Sequence, residues 1–257
     1  MEPELLKATI RDFWNKSSHH YDTYFGHGLK YNEEKQAWLA FLKGAVGTAP
    51  LKILDAGAGT GFLALLLAEL GHEVVAVDLA EGMLNEGKKK AAALRLTVDW
   101  RLGDIEALEF NANHFDVVIS RHVFWTITNH RTALLEWKRV LKGGGKVIIL
   151  DARWGNNGVM QGVRRNIRNL CKVLRGKEQW LKKYEQVRPL LACYGGAPPG
   201  MVARQVTAAG FDQAAVALLH DIYHVEKQVM SWYLRITANC CLRYAVTGRK
   251  PHLQKDG

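Results

Sequence analysis

The stretch Leu54-Asp55-Ala56-Gly57-Ala58-Gly59-Thr60-Gly61 decides the fold class of this chain. It begins within a short apolar run, residues 52–56, and leads into an apolar run with helical spacing, residues 62–70. Glycines at alternate positions let the backbone turn tightly and approach a ligand closely, because a Cβ would occupy that space. We therefore predict a strand, a ligand-binding turn and a helix, in that order.

Short apolar runs continue to alternate with amphipathic helical patterns beyond this turn, which is typical of a parallel sheet covered on both faces by crossover helices. The predicted strands are 52–56, 73–77, 97–101, 116–120 and 146–151, and the predicted helices are 62–70, 82–94 and 131–141. Gly71 and the glycines at 143–145 are expected to end the first and last of these helices. The fold class is α/β, a doubly wound sheet that binds ligands beyond the carboxyl ends of its strands.

Segments on either side of this core complete the predicted organisation. They are helices at 4–16, 33–46, 201–209 and 226–237, one or two helices within 156–186, and strands at 214–219 and 242–248. We divide the chain into an N-terminal helical lid, residues 1–50, and a main domain, residues 51–257. The main domain carries a helical insertion at about residues 155–190, which is expected to cap the substrate pocket.

Composition excludes several classes of protein. The 257 residues are 48% hydrophobic and 23% charged with a formal net charge of +10, which excludes disordered and fibrous chains. Met1 is followed by acidic residues and proline, and no apolar stretch could span a bilayer, so we expect a cytoplasmic protein without a membrane span. The four cysteines form no C-x-x-C pair, and the tandem His19-His20 has no accompanying carboxylate cluster, so no metal site is predicted.

The glycine turn differs from the one that binds dinucleotides. A G-x-G-x-x-G pattern would require glycine where Phe62 stands, three residues past Gly59. Asp55 at the strand end would repel a pyrophosphate but favour a ligand with an ammonium or sulfonium charge. S-adenosylmethionine carries both charges.

Acidic residues follow the next two strands. Asp78 ends the second strand, where a carboxylate can accept hydrogen bonds from ribose hydroxyls, and Asp104 follows the third, where it can accept from an adenine amino group. Met83 and Leu84 can form an apolar wall for the adenine ring. Each residue has an alternative: Asp78 as a helix cap, Asp104 as a turn residue, and Met83 and Leu84 as core. Together they follow successive strands, as one adenosine site requires.

The motifs LDAGAGTG, VVAVDLAEGML, GDIEALEF, FDVVISRHVFWTI and WKRVLKGGGKVIILD cover most of residues 51–151. This combination resembles class I S-adenosylmethionine-dependent methyltransferases and is most similar to the ubiquinone and menaquinone biosynthesis group. The resemblance implies a Rossmann-like, seven-stranded, mostly parallel sheet with an antiparallel last strand, S-adenosylmethionine as methyl donor and S-adenosylhomocysteine as product. It places Gly57, Gly59 and Gly61 at the methionyl part, Asp78 at the ribose, Asp104 and Ile105 at the adenine, and residues 13–22 over the cofactor. The full predicted cofactor set is Tyr21, Asp55, Gly57, Gly59, Gly61, Asp78, Leu79, Met83, Gly103, Asp104, Ile105, Ser120 and Arg121.

Methyl transfer from a sulfonium mainly requires alignment of donor and nucleophile and exclusion of water. The predicted catalytic residues are His122, after the fourth strand, and Tyr21 and Tyr194, with Tyr24, His19 and His20 as further lid candidates. His122 is predicted either to accept a proton from the nucleophile or to orient it, because its unperturbed pKa is near neutral. The alternative is that His122 only contacts the cofactor or shapes the pocket.

Three functions remain open at this point: methylation of a small-molecule acceptor by a monomer or homodimer, methylation of RNA, and non-catalytic binding of S-adenosylmethionine by a regulator. RNA is disfavoured because the chain contains no recognisable RNA-binding module and has Ser-Arg-His-Val where base methyltransferases use an Asn-Pro-Pro-Tyr type of motif. Residues 153–188 contain ten basic side chains and only two acidic ones, which is most of the net charge. They are either a solvated helix face or a means of attracting an anionic acceptor.

Overall fold

A computed structural model of the chain describes residues 3–24, 26–153, 191, 193, 195–229 and 242–252. Its strands are β1 (Lys52–Ala56), β2 (Glu73–Asp78), β3 (Asp99–Leu102), β4 (Phe115–Arg121), β5 (Leu141–Arg153), β6 (Asp212–Leu218) and β7 (Leu242–Arg249). Its helices are α1 (Pro3–Tyr21), α2 (Asn32–Val46), α3 (Phe62–Glu69), α4 (Glu81–Leu94), α5 (His130–Val140), α6 (Pro199–Ala208) and α7 (His220–Val229).

The strands form one seven-stranded sheet in the order β3-β2-β1-β4-β5-β7-β6. Neighbouring strands from β3 to β5 are parallel, and β7 lies antiparallel between β5 and β6. This confirms the predicted α/β class and the antiparallel last strand. The strand order changes direction between β1 and β4, so the turn after β1 and the loop after β4 meet where doubly wound sheets bind their ligands.

Both faces of the central strands are buried, whereas the outer strands β3 and β6 are largely exposed. Side chains of α1, α5 and α6 pack on one face, and those of α2, α3 and α7 pack on the other. Along β4, Val118 packs on the face covered by α1, α5 and α6, whereas Val117 and Ile119 pack on the face covered by α2, α3 and α7. This alternation follows from the two-residue period of a strand. Strands buried on both faces are apolar throughout, which is why β2 contains the run Val74-Val75-Ala76-Val77.

Four boundaries differ from the sequence prediction. α1 continues five residues past Lys16 to Tyr21, so the tandem histidines are helical. α5 ends at Val140 before any glycine, because Leu141 is already extended and pairs with Phe115 in the sheet. The glycines at 143–145 therefore lie inside β5, and a Cβ on Gly145 would come 2.8 Å from the carbonyl oxygen of Lys142.

α7 begins at His220, six residues before the predicted start, and its predicted end at 237 lies outside the described residues. The predicted insertion at about 155–190 also lies outside them. The remaining element boundaries agree closely with the prediction. The division into a lid and a main domain stays a prediction.

Candidate functional site

The carboxyl ends of β1, β2, β3 and β4 open onto a cleft of about 900 Å³, including its mouth. Nearly all of the predicted cofactor residues lie in its walls. These residues are Tyr21, Asp55, Gly57, Gly59, Asp78, Leu79, Met83, Gly103, Asp104, Ile105 and Arg121, and they are joined by His122. The structure therefore brings together residues that the sequence separates by about a hundred positions.

Two predicted cofactor residues do not line the cleft. Gly61 has a φ of 83°, and a Cβ there would come 2.5 Å from the ring of Trp100, so this glycine allows a close approach on the far side of the turn. Ser120 is buried within β4. Of the catalytic candidates, Tyr194 lies outside the described residues.

The turn between β1 and α3 is fixed by its glycines. Gly57 has a φ of 77°, and a Cβ on it would collide with the side chain of Val123 from the loop after β4. The backbone N–H groups of Gly57 and Ala58 both donate to the carbonyl of Val77, at 2.8 and 2.9 Å, which ties the turn to the end of β2. Only glycine fits at position 57, because both the left-handed backbone and the lack of space exclude a side chain.

Asp78 joins the turn to the loop after β2. Its Oδ2 accepts a 2.8 Å hydrogen bond from the backbone N–H of Gly59, and its Oδ1 accepts one of 2.8 Å from Ala80. α4 is capped by Ala80, so Asp78 is not the cap of that helix. Since each carboxylate oxygen has two acceptor positions, both oxygens of Asp78 can still accept a ligand hydroxyl.

Asp104 lies at the far end of the cleft and contacts α1. Lys7 Nζ is 2.7 Å from Asp104 Oδ2 and 3.1 Å from Glu106 Oε2. Asp104 Oδ1 also accepts a 2.8 Å hydrogen bond from the N–H of Glu106, so Asp104 is a turn residue as well as a cleft residue. Burial opposes the charge of Lys7, but its two carboxylate partners raise the pKa of Lys7 overall.

α1 contributes cleft residues that the sequence reasoning missed. Lys7, Ile10 and Trp14 line the cleft together with Tyr21. Successive members of this set are three, four and seven residues apart, which places them on one face of the helix. The helical period in the sequence could therefore have identified them as cleft residues. The end of α1 is held by Asp22, which contacts Thr60 Oγ1 and Lys90 Nζ, each at 2.6 Å. α1 thus lies along the cleft, as the resemblance implies, whereas its role as a lid stays a prediction.

The other lid candidates lie elsewhere. His19 is exposed and its Nδ1 is 2.9 Å from Glu86 Oε1, and neither His20 nor Tyr24 lines the cleft. Within the described ranges, no group of three or more His, Cys, Asp or Glu side chains is placed to hold a metal ion. In the same part of the chain, no helix is long and apolar enough to cross a membrane.

Arg121, the last residue of β4, lies at the other end of the cleft. Its guanidinium carbon is 3.7 Å from the ring centroid of Phe62 and 5.1 Å from that of Trp38, and its Nη2 donates to the carbonyl of Gly26. Burial lowers the pKa of Arg121 to about 10, and the charge of Arg243 acts in the same direction. Among the described residues, no carboxylate lies within ion-pair distance of this buried cation.

His122 follows Arg121 and has an unusual backbone, with a φ of 57° and an N–H that donates to the carbonyl of Leu150 at 2.9 Å. Its Nε2 is 3.3 Å from Arg243 Nη1, and its Nδ1 is 3.9 Å from Asp151 Oδ1. Arg243 Nε in turn donates to Glu226 Oε2 at 2.6 Å. We call Arg121, His122, Asp151, Glu226 and Arg243 the arginine cluster.

Burial perturbs most titratable groups of this cluster. Burial, followed by the charges of Arg121 and Arg243, lowers the pKa of His122 well below its ordinary value. Burial also raises the pKa of Asp151 to about 7, and it raises that of Asp55, at the base of the glycine turn, to about 7. Of these groups, Arg121, His122 and Asp55 line the cleft, and perturbed groups that share a cleft are typical of functional sites.

Comparison with known proteins identifies the domain. Residues 54–149 match the family model described as a methyltransferase domain. A demethylmenaquinone methyltransferase of Renibacterium salmoninarum is 35% identical over 119 residues, which are 46% of this chain and 48% of the relative. The ubiquinone/menaquinone biosynthesis C-methyltransferase UbiE of Roseobacter denitrificans is 38% identical over 136 residues, 51% of this chain and 52% of the relative. The chain thus spans about half the length of the curated relatives it matches.

A solved structure shows the same fold. Phosphoethanolamine N-methyltransferase 2 of Haemonchus contortus, in complex with S-adenosyl-L-methionine, superposes with a TM-score of 0.65 at 21% identity over 94% of this chain and 60% of that one. Residues 54–149 thus match a methyltransferase domain, as the motifs predict, and the fold is the one seen in this methyltransferase structure. Within the two curated relatives, the similarity is to a demethylmenaquinone methyltransferase and to a ubiquinone/menaquinone biosynthesis C-methyltransferase.

Proposed function

We propose that the chain transfers a methyl group from S-adenosylmethionine to a small-molecule acceptor. The observation that carries this proposal is the position of Asp78, whose two oxygens are held by the N–H groups of Gly59 and Ala80 while the carboxylate lines the cleft. A carboxylate held in this way next to a glycine turn is suited to the two hydroxyls of a ribose.

The remaining walls of the cleft fit the other parts of the cofactor. Asp104 and Ile105 would hold the adenine against the apolar side chains of Leu79 and Met83. Gly57 and Gly59 line the part of the cleft that would hold the methionyl chain, and a Cβ at Gly57 would displace Val123, which lines the same part. Arg121 Nε has no hydrogen-bond partner among the described residues, which fits a carboxylate ligand at that end. When bound, S-adenosylmethionine supplies an electrophilic methyl group.

The chain's own residues would exclude water and align the acceptor. The Trp14 ring contacts the rings of Tyr21 and Trp125, with centroids 5.5 and 6.2 Å apart, so aromatic side chains close one side of the cleft. Burial raises the pKa of Tyr21 to about 12, so its hydroxyl keeps its proton at neutral pH and can donate a hydrogen bond. These roles suit a displacement that depends on orientation and dehydration.

The proposed acceptor is a small molecule of the quinone-precursor type. The curated relatives are named for C-methylation in ubiquinone and menaquinone biosynthesis, or for demethylmenaquinone methylation. We extend this class to the chain, and we keep an anionic acceptor as the finer proposal because basic residues dominate positions 153–188. Steering of an anion toward the cleft would weaken as salt concentration rises.

The cofactor part is tested by calorimetric binding of S-adenosylhomocysteine to matched glycine variants. Gly57→Ala introduces a Cβ that collides with Val123 and strains a φ of 77°, so we expect binding to be lost. Gly44→Ala in α2 is the control, because a Cβ there meets nothing within 4 Å. Equal binding by both variants would contradict the proposed site.

The transfer part is tested with labelled S-adenosylmethionine and separate quinone, polar-metabolite and RNA extracts. Label in a small molecule is expected. Label only in RNA would contradict the proposed acceptor class, and cofactor binding without transfer to any extract would contradict the enzymatic role and favour a regulator.

A further inference from the structure

We infer that the buried pair Glu226–Arg243 holds His122 as a neutral ring with its proton on Nδ1, so that His122 forms a fixed wall of the cleft and does not take the acceptor's proton. The statement about the ring stands on the geometry of the arginine cluster. The statement about the acceptor's proton rests on the proposed function. Glu226 and Arg243 are positioning residues here, because they act through His122.

The first step is the direction of the hydrogen bonds. Arg243 Nε donates to Glu226 Oε2 at 2.6 Å, and Arg243 Nη1 lies 3.3 Å from His122 Nε2. A guanidinium has only donors, so His122 Nε2 must accept with its lone pair. A histidine ring that accepts at Nε2 is neutral and carries its proton on Nδ1.

The second step is the set of charges that face the ring. Arg121 is the preceding residue at the end of β4, Arg243 comes from β7, His27 from the turn after α1, and Asp151 from β5. Asp151 Oδ1 is 3.9 Å from Nδ1, which places the carboxyl on the side of the ring where the proton is inferred. Burial opposes a positive charge on the ring, and the two guanidinium groups oppose it further.

The third step concerns how the backbone holds the two side chains in place. The backbone after β4 positions the His122 ring, and the turn at Gly26 makes room for Arg243. The φ of 57° and the N–H bond to Leu150 determine the position of His122 at the end of β4. Gly26 has a φ of 75°, and a Cβ on it would collide with the guanidinium of Arg243, so a glycine in the N-terminal turn makes room for this contact. A strained non-glycine backbone that several elements hold in place is typical of a functional site.

The wild-type ring is tested by two-bond proton–nitrogen correlation spectra of the protein labelled at histidine nitrogen. His122→Asn assigns the signal and keeps a residue that tolerates a positive φ. We expect a neutral Nδ1-protonated ring that does not titrate between about pH 5.5 and 8.5. A proton on Nε2, or titration near the ordinary value of about 6.5, would overturn the inference.

The role of the pair is tested by Glu226→Met combined with Arg243→Met, which removes both charges and leaves neither partner unpaired. We expect the ring pKa to rise by about one unit or more and the rate of methyl transfer to acquire a matching pH dependence. Arg243→Lys keeps a charged donor and is expected to keep the ring neutral, and Arg101→Met, which breaks an exposed pair with Asp99, is expected to change nothing. If the His122 ring of the double variant stayed neutral with its proton on Nδ1 and did not titrate, the inference would be overturned.

Folding and the proposed function are controlled in the same samples. If the double variant does not fold, the wild-type and Arg243→Lys spectra still decide the state of the ring. Binding of S-adenosylhomocysteine to the wild-type protein is measured separately, so a failure of the proposed function shows as lost binding, whereas a failure of this inference shows in the ring signals.

Discussion

The two ends of the cleft are stabilised in different ways. At the end formed by the glycine turn, Asp78 and Asp104, which we call the loop end, carboxylates accept hydrogen bonds from backbone N–H groups no more than 19 residues away. In the arginine cluster, side chains contact other side chains, and Arg243 meets His122 across 121 positions of sequence. The loop end is therefore built from local chain geometry, and the arginine cluster exists only after β4, β5, β7 and α7 have assembled.

This difference has an energetic consequence. A backbone-bound carboxylate near a cleft mouth can exchange partners with water, whereas a buried charge that loses its partner cannot. Breaking a buried pair by removing one side costs about 3–5 kcal/mol, while an exposed ion pair contributes about 0–1 kcal/mol. We expect variants of the arginine cluster to affect folding more than variants of the loop end.

The largest effect is expected for Arg243→Met, because Glu226 is 1% exposed and would be left without its cation. We expect the free energy of unfolding in urea to fall by about 3–5 kcal/mol. Adding Glu226→Met should restore most of this loss, because no unpaired charge then remains. A loss no larger than that of Arg101→Met, in the exposed pair with Asp99, would contradict the comparison.

The loop end could be predicted from the sequence because it is built from local contacts. The glycine turn, Asp78 and Asp104 were predictable because each lies at the end of a predicted strand, so its place at the sheet edge follows from strand order. The outer strands β6 and β7 were also predictable from apolar runs. The end of α1 was not, because His19 and His20 have no helical signal of their own and are helical as part of a longer element.

The arginine cluster could not be predicted from local patterns. Arg243 stands in the strand sequence Leu-Arg-Tyr-Ala-Val, where an arginine usually points to solvent, and Glu226 stands in an ordinary amphipathic helix. Neither residue can be recognised as part of a buried cluster before the antiparallel strand β7 is known to place Arg243 beside the end of β4. His122 was predicted as a candidate, but its neutral form depends on this distant partner.

A smaller and different effect is expected at the loop end for Asp78→Asn. The amide keeps one acceptor oxygen but turns an NH₂ group toward the N–H of Gly59 or of Ala80. Hydrogen bonds to a charged group contribute about 1.5–3 kcal/mol, so the Kd for S-adenosylhomocysteine should rise about 10- to 100-fold in calorimetry. Asp99→Asn, an exposed β3 carboxylate, is the control and should leave the Kd unchanged. Unchanged binding by Asp78→Asn would remove the basis for the ribose assignment.

The smallest effect is expected for Lys7→Met, which removes the ion pairs that join α1 to the loop end. Asp104 is 27% exposed and Glu106 keeps its hydrogen bonds to Thr128, so water and neighbouring donors replace much of what Lys7 supplies. We expect a loss of about 1 kcal/mol or less in the free energy of unfolding, and less still for the exposed control Lys89→Met. The pair Lys7–Asp104 spans 97 positions but is only partly buried. Its variant therefore shows whether sequence separation or burial determines the loss of stability. A loss as large as that of Arg243→Met would mean that long-range contacts, and not burial, distinguish the two ends of the cleft.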